Sequence, residues 1–154
     1  MIVHLPAPHP LAWSIASSDD GPAIAELRAD VLRAALQRLG RYDDGRVWER
    51  FLSAFVPHHT RVLRAREGVV GAIALRPAPE GTWIEHFYLD EGLQGHGLGS
   101  AVLQAITSTA DATATTLRLN VLQRSDARRL YERHGFTLDH EDSVDVYLHR
   151  PPRV

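Results

Sequence analysis

Three glycines fall within six residues in Gln94-Gly95-His96-Gly97-Leu98-Gly99, and Ser100 follows them. Glycines at that density let a backbone adopt positive φ and pass close to a ligand. If a helix starts here, its first N–H groups and its dipole suit an anion such as a pyrophosphate. Three chemistries compete for such a loop. A phosphate-binding P-loop requires Gly-Lys-Ser/Thr, and this stretch has no lysine. A dinucleotide fingerprint requires a third glycine or alanine where Ser100 stands, and an acid about 20 residues on, at the end of the next strand. That strand ends near Asn120 instead. A third reading is a loop that holds the pyrophosphate of another carrier.

The flanking elements set the context. Residues 11–16 read as a first strand. Asp20 is placed to cap a helix with Pro22 in its first turn. Apolar residues recur at helical spacing from Ile24 to Leu39, and Gly40 ends the run. A second helix is expected over residues 46–55. Residues 61–66 and 69–75 read as strands joined at Glu67-Gly68. Pro77 to Gly81 reads as a turn, and residues 83–89 as a fourth strand rich in aromatic and β-branched side chains. Leu98, Ala101, Val102, Ala105 and Ile106 then keep helical spacing. Residues 116–121 alternate as a fifth strand, Ser125 is placed to cap a helix through Arg133, and residues 136–138 and 144–149 close the chain. Strand, two helices, three strands, helix, strand, helix and final strands make a mixed α+β arrangement.

Bulk properties narrow the field. The 154 residues suit one domain spanning 1–154, with its core over about 11–150. The chain has no cysteine, which excludes a thiolate nucleophile and a disulfide framework. A net charge of −2 gives no polyanion-binding field over the whole surface, so no nucleic-acid partner is expected. Prolines at 6, 8 and 10 interrupt the N-terminal apolar run, and no apolar window reaches membrane-spanning length. The expectation is a cytoplasmic protein with no membrane partner. The nine histidines are scattered, and the adjacent pair His58-His59 is badly spaced for one ion, so no metal site is expected.

At the glycine loop the sequence resembles the GNAT superfamily of N-acetyltransferases, whose acetyl-CoA signature is Gln/Arg-x-x-Gly-x-Gly/Ala after a strand. A second signature of that family, Asn-x-x-Ala-x-x-Leu-Tyr-x-x-x-Gly-Phe, is met by Ala127, Leu130, Tyr131, Gly135 and Phe136. Arg124 stands where the family has its asparagine, so that residue's contact with the cofactor is not carried over. The resemblance implies a mostly antiparallel central sheet flanked by helices and splayed between its fourth and fifth strands. It implies acetyl-CoA as acetyl donor. The pantetheine arm would pair with the backbone of Phe87, Tyr88 and Leu89, and the pyrophosphate would sit on the amides of Gln94, Gly95, His96, Gly97, Leu98, Gly99 and Ser100.

Tyr131 matches the family tyrosine whose hydroxyl reaches the leaving sulfur; as a structural residue it would pack beside Phe136. Glu85 is the candidate base, because many relatives carry a carboxylate there. Its alternative role is to pair with an arginine while water carries the proton. His86 is the rival base, since its ordinary pKa suits the task. Regular alternation places Trp83, Glu85 and Phe87 on one face and Ile84, His86 and Tyr88 on the other, so Glu85 and His86 share a face only if a bulge intervenes. Tyr42 and Asp43, in the loop between the first helices, are candidates to bind a cationic amine. Their alternative role is a capped surface turn. The expected acceptor is a small-molecule primary amine, with a protein N-terminus or lysine as a second class. The alternatives are a non-catalytic acyl-CoA-binding module and a nucleotide-dependent oxidoreductase. A homodimer is the family default.

Overall fold

The computed structural model describes residues 1–40 and 43–154. In chain order the elements are β1 (Trp13–Ile15), α1 (Gly21–Arg38), α2 (Asp44–Ala54), β2 (Thr60–Ala65), β3 (Gly68–Ala78), β4 (Gly81–Leu89), α3 (Leu98–Ala112), β5 (Leu117–Leu122), α4 (Ala127–Arg133), β6 (Thr137–Glu141) and β7 (Asp145–Arg150). Short 3-10 turns precede α1, β2 and the glycine loop. The seven strands form one sheet in the order β1-β2-β3-β4-β5-β7-β6. Every pair is antiparallel except β4–β5.

Each face of the sheet carries its own apolar cluster. On one side Ile24, Ala25 and Leu27 of α1 and Phe51 of α2 bury against Val62 and Ala72. On the other, Val102, Leu103, Ile106 and Ala110 of α3 bury against Ile73, Ile84, Leu117, Leu119 and Leu148. Strands between two helical layers are apolar on both faces, which explains the near-continuous hydrophobic run of β3. Val3 and Leu5 join the second cluster and the Trp13 indole donates to the Pro6 carbonyl at 2.8 Å, so packing begins ahead of residue 11.

Three local expectations are corrected. β3 continues through Pro77 to Ala78, and only Pro79 and Glu80 turn. Pairing with β2 stops at Ala74, so a proline at 77 sacrifices no ladder bond on that edge. Asp20 sits at the start of α1 but its carboxylate does not cap it. The carboxylate accepts from the Ser17 N–H at 2.8 Å and is gripped by both Nη atoms of Arg64 at 2.7 Å, a charge-assisted fork worth more than one cap bond. The regular alternation expected of β4 also fails, as described next.

Candidate active site

β4 and β5 run side by side only at Thr82–Leu117 and Trp83–Arg118. β5 then stays with β7 through Leu122, while β4 stays with β3 through Leu89. The sheet therefore splays between Ile84–Leu89 and Leu119–Leu122. Backbone groups of β4 on this edge have no strand partner, so they are open to an extended ligand with amides of its own. The gap opens into a cleft of about 1950 Å³ bounded by α1, α2, the glycine loop and α4.

The glycine loop closes one end of the cleft. The Asp90 carboxylate accepts from Gly92 N–H at 3.1 Å, and the Gln94 side chain donates to the Leu89 carbonyl at 2.8 Å, tying the loop back to β4. Gly97, at φ +81, is the residue that precedes the first turn of α3; a Cβ there or at Gly95 would meet no atom within 4 Å. The first helical bond of α3 runs from Ala101 N–H to the Gly97 carbonyl, which leaves the N–H groups of Leu98, Gly99 and Ser100 without a helical acceptor. Amides without a helical acceptor at a helix start suit an anion such as a pyrophosphate. Ser100 Oγ lies 2.9 Å from Nε2 of His134, which joins α3 to the end of α4. His96 is exposed.

On the α1–α2 side the register of β4 changes. Ala72 faces Tyr88 and Ala74 faces Glu85, so His86 and Phe87 together oppose Ile73 alone. This is a β-bulge, with His86 at φ +50. Past it the alternation inverts. Phe87 packs with Ile84 against the α3 cluster, whereas Tyr88 packs against the α1–α2 cluster. The His86 ring meets Phe51 edge-on at 5.1 Å, so His86 lies on the α1–α2 side too.

Glu85 Oε1 accepts from Arg76 Nε at 3.0 Å and Nη2 at 2.8 Å. His86 Nε2 is buried with no hydrogen-bond partner among the described residues. Burial, helped by the charge of Arg28, pulls the His86 pKa down to about 4. The Tyr88 hydroxyl accepts from Arg28 Nε at 3.1 Å. Tyr131, brought in by α4, is buried and meets Phe136 edge-on at 5.7 Å. Burial pushes its phenol well above the usual tyrosine range, with the nearby Tyr88 hydroxyl adding to the effect.

The structure thus brings Glu85, Phe87, Tyr88, Leu89, Gln94, Gly95, Gly97, Leu98, Gly99, Ser100 and Tyr131 to the walls of one cleft. Asp43 stands at the start of α2, where its carboxylate accepts from Arg46 N–H at 3.1 Å. Tyr42 lies outside the described residues. Arg124, at φ +64, presents its carbonyl to Arg38 at 3.4 Å. Asn120 donates to Asp145 at 3.0 Å, and Ser125 Oγ accepts from Ala127 N–H at 3.2 Å. Sequence reasoning overlooked Arg28, the Tyr88 hydroxyl and His134. Arg28 reads as one more polar position on an amphipathic helix, and only its approach to Tyr88, 60 residues away, singles it out.

The fold has close counterparts among solved structures. The PaiA N-acetyltransferase of Thermoplasma acidophilum, solved with coenzyme A, superposes with a TM-score of 0.73 at 14% identity, over 92% of this chain and 98% of that one. An acetyltransferase of Salmonella typhimurium that modifies the N-terminal serine of a 50S ribosomal protein gives 0.62 at 19% identity, over 97% and 99%. An N-acetyltransferase of Staphylococcus aureus Mu50 gives 0.60 at 17% identity, over 89% and 97%. No curated protein matches the chain in sequence. Residues 55–138, more than half of the chain, match the sequence profile of the Acetyltransferase (GNAT) domain, and with both the splayed sheet and the glycine loop in place the chain belongs to the GNAT family of acetyltransferases.

Proposed function

We propose that this protein moves an acetyl group from acetyl-CoA to the primary amine of a small molecule, directly, in a ternary complex. The observation that carries this reading is the splayed gap, with Tyr131 on the α4 wall and Glu85 beside the His86–Phe87 bulge on the other. When bound, acetyl-CoA supplies an acetyl thioester. The unpaired edge at Phe87, Tyr88 and Leu89 would hold its pantetheine arm, and the amides from Gln94 to Ser100 its pyrophosphate. A β4 N–H beside the bulge would polarise the carbonyl as an oxyanion donor does.

An amine is an ammonium ion at neutral pH, so it must lose a proton before it attacks. Glu85 receives that proton, directly or through one water, while Arg76 fixes the carboxylate through Oε1. His86 is less suited, because its Nε2 is buried and the ring holds a proton only below about pH 4. The new bond joins nitrogen to the acyl carbon, the carbon–sulfur bond breaks as Tyr131 gives its proton to the departing sulfur, the nitrogen sheds its second proton, which restores the Tyr131 phenol through water, and Glu85 releases the first proton to solvent. A phenol whose pKa is raised by burial is still protonated at working pH, as a donor must be.

The test is calorimetric titration with acetyl-CoA, using NADPH as the control ligand, followed by an amine panel scored by CoA release. Saturable acetyl-CoA binding and turnover of at least one small amine support the proposal. Binding without turnover would identify a non-catalytic acyl-CoA-binding module. Turnover confined to peptides with free N-termini or lysines would move the acceptor class to protein. NADPH binding without acetyl-CoA binding would overturn the reading entirely.

A further inference from the structure

Ser100 and His134 tie together two elements that bear on one ligand. Ser100 stands in the first turn of α3, on the wall of the cleft, and its N–H is among those without a helical acceptor. His134 follows α4 directly and is not among the residues that line the cleft. Its Nε2 lies 2.9 Å from Ser100 Oγ. The imidazole therefore meets the hydroxyl from outside the cleft and leaves its other side facing in. Among the described residues Ser100 Oγ has no second hydrogen-bond partner.

The backbone that carries the ring is fixed. The His134 N–H donates to the Tyr131 carbonyl at 2.9 Å, and the His134 carbonyl accepts from Arg150 Nε at 3.0 Å. Arg150 is held in turn by the two oxygens of Asp111 at 2.7 and 3.0 Å. A side chain on such a base is preorganised for its partner. Burial, then the charges of Arg133 and Arg150, lower the His134 pKa. The ring is thus neutral at working pH and has one N–H to place.

A hydroxyl between an imidazole and an anion can be arranged in two ways. If Ser100 O–H donates to Nε2, the lone pairs of Oγ face the cleft and repel a phosphate oxygen. If Nε2–H donates to Oγ, the Ser100 O–H is left to donate into the cleft. An ionised pyrophosphate only accepts, so it selects the second arrangement.

We infer that His134 is a positioning residue for the cofactor: its Nε2–H donates to Ser100 Oγ and so turns the Ser100 hydroxyl into a hydrogen-bond donor to the pyrophosphate of acetyl-CoA. The inference rests on the acetyl-CoA reading above and adds to the loop amides a side-chain donor held in place from α4.

The experiment is calorimetric titration of acetyl-CoA into wild type and four variants. Ser100→Ala keeps the amide and loses the hydroxyl, so Kd should rise about tenfold. His134→Leu should raise it by a similar factor. The double variant should bind no more weakly than Ser100→Ala alone, because His134 acts through that hydroxyl. A residue that merely holds α4 in place would instead add its own loss. His134→Gln, whose amide N–H can stand where Nε2–H stood, should bind within about threefold of wild type. Should His134→Leu fold poorly, 15N spectra of histidine-labelled wild type decide the matter: with acetyl-CoA bound, His134 Nε2 should carry its proton, its signal being the one lost in His134→Gln. Ser100→Ala or His134→Leu binding as tightly as wild type, His134→Gln as weak as His134→Leu, losses that add in the double variant, or an unprotonated Nε2 in the complex would overturn the inference and leave the acetyl-transfer reading standing. A wild type that does not bind acetyl-CoA would overturn both.

Discussion

Glu85 and His86 are neighbours in sequence, yet both side chains face the α1–α2 side of the sheet. The cause is the bulge that sets His86 and Phe87 together against Ile73, with His86 in the left-handed region. A regular strand would have sent one of the two into the α3 cluster. The bulge thereby turns a carboxylate and an imidazole toward the same half of the cleft, next to Arg28 and Tyr88.

Glu85→Gln tests the proton acceptor. The amide oxygen can still take the Arg76 hydrogen bonds, so stability should change by less than about 1 kcal/mol for this partly exposed pair. If Glu85 receives the amine's proton, kcat with the best amine falls about 10²- to 10⁴-fold. A fall of less than about threefold would assign that proton to water alone.

His86 makes stability depend on pH in a stated direction. Its folded pKa, about 4, lies below the 6.5 of an ordinary histidine, so the unfolded chain binds the proton more readily. The contribution is fully present above pH 6.5 and is lost as pH falls toward 4. Integrated over that window the loss is about 2–3 kcal/mol. Urea unfolding of wild type and His86→Gln at pH 7 and pH 4 isolates the effect; wild type should lose more stability than the variant between the two.

Tyr131→Phe removes the proposed donor and keeps the ring that packs on Phe136. The rate of CoA release should fall about 10- to 100-fold with acetyl-CoA affinity changed less than about twofold. The raised phenol pKa predicts no loss of wild-type rate from this group up to pH 10. Unchanged turnover in the variant would show that the thiolate leaves without a donor.

Two glycines separate backbone need from ligand need. Gly97→Ala forces an L side chain to φ +81 and should cost about 1 kcal/mol in the ligand-free protein. Gly99 is helical, and an added methyl would meet Leu130 at 3.5 Å and Leu89 at 3.8 Å, ordinary contacts. Gly99→Ala should therefore leave the free protein as stable or up to about 1 kcal/mol more so. If the loop holds the pyrophosphate, both variants weaken acetyl-CoA binding by calorimetry, including the one that folds at least as well.

Asp111 anchors the far end of α3. Its two oxygens accept from Arg150 at 2.7 and 3.0 Å, and Oδ1 also accepts from the Arg153 N–H at 2.7 Å. The Arg150 hydrogen bonds come first in bringing its pKa from 3.8 to about 2. A lowered folded pKa gives stability that is present above about pH 4 and lost as pH falls toward 2. Asp111→Asn should lower the urea midpoint at pH 6 and much less at pH 2.5, so the wild-type and variant curves converge in acid.

The glycine loop and the Leu-Tyr-x-x-x-Gly-Phe run were legible in the sequence because their constraints are local. Gly97 is needed for one backbone angle, and the start of α3 follows within the same few residues. The helices and most strands were legible for the same reason, since burial of one face repeats every few positions. Pro77 misled because proline argues against a strand in general, and its tolerance here depends on where β2 stops pairing, a fact about another segment.

What the sequence by itself determined was the element order, the glycine-rich loop ahead of α3 and the two family signatures that contain Gly97 and Tyr131. These rest on interactions a few residues long. The tertiary structure alone decided that β4 and β5 part after Trp83, that a bulge turns His86 to the side of Glu85, that Arg76 holds Glu85, and that Arg28 reaches Tyr88 across 60 residues. Each of those depends on a second element packed against the first, from nine residues away for Arg76 and Glu85 to 60 for Arg28 and Tyr88.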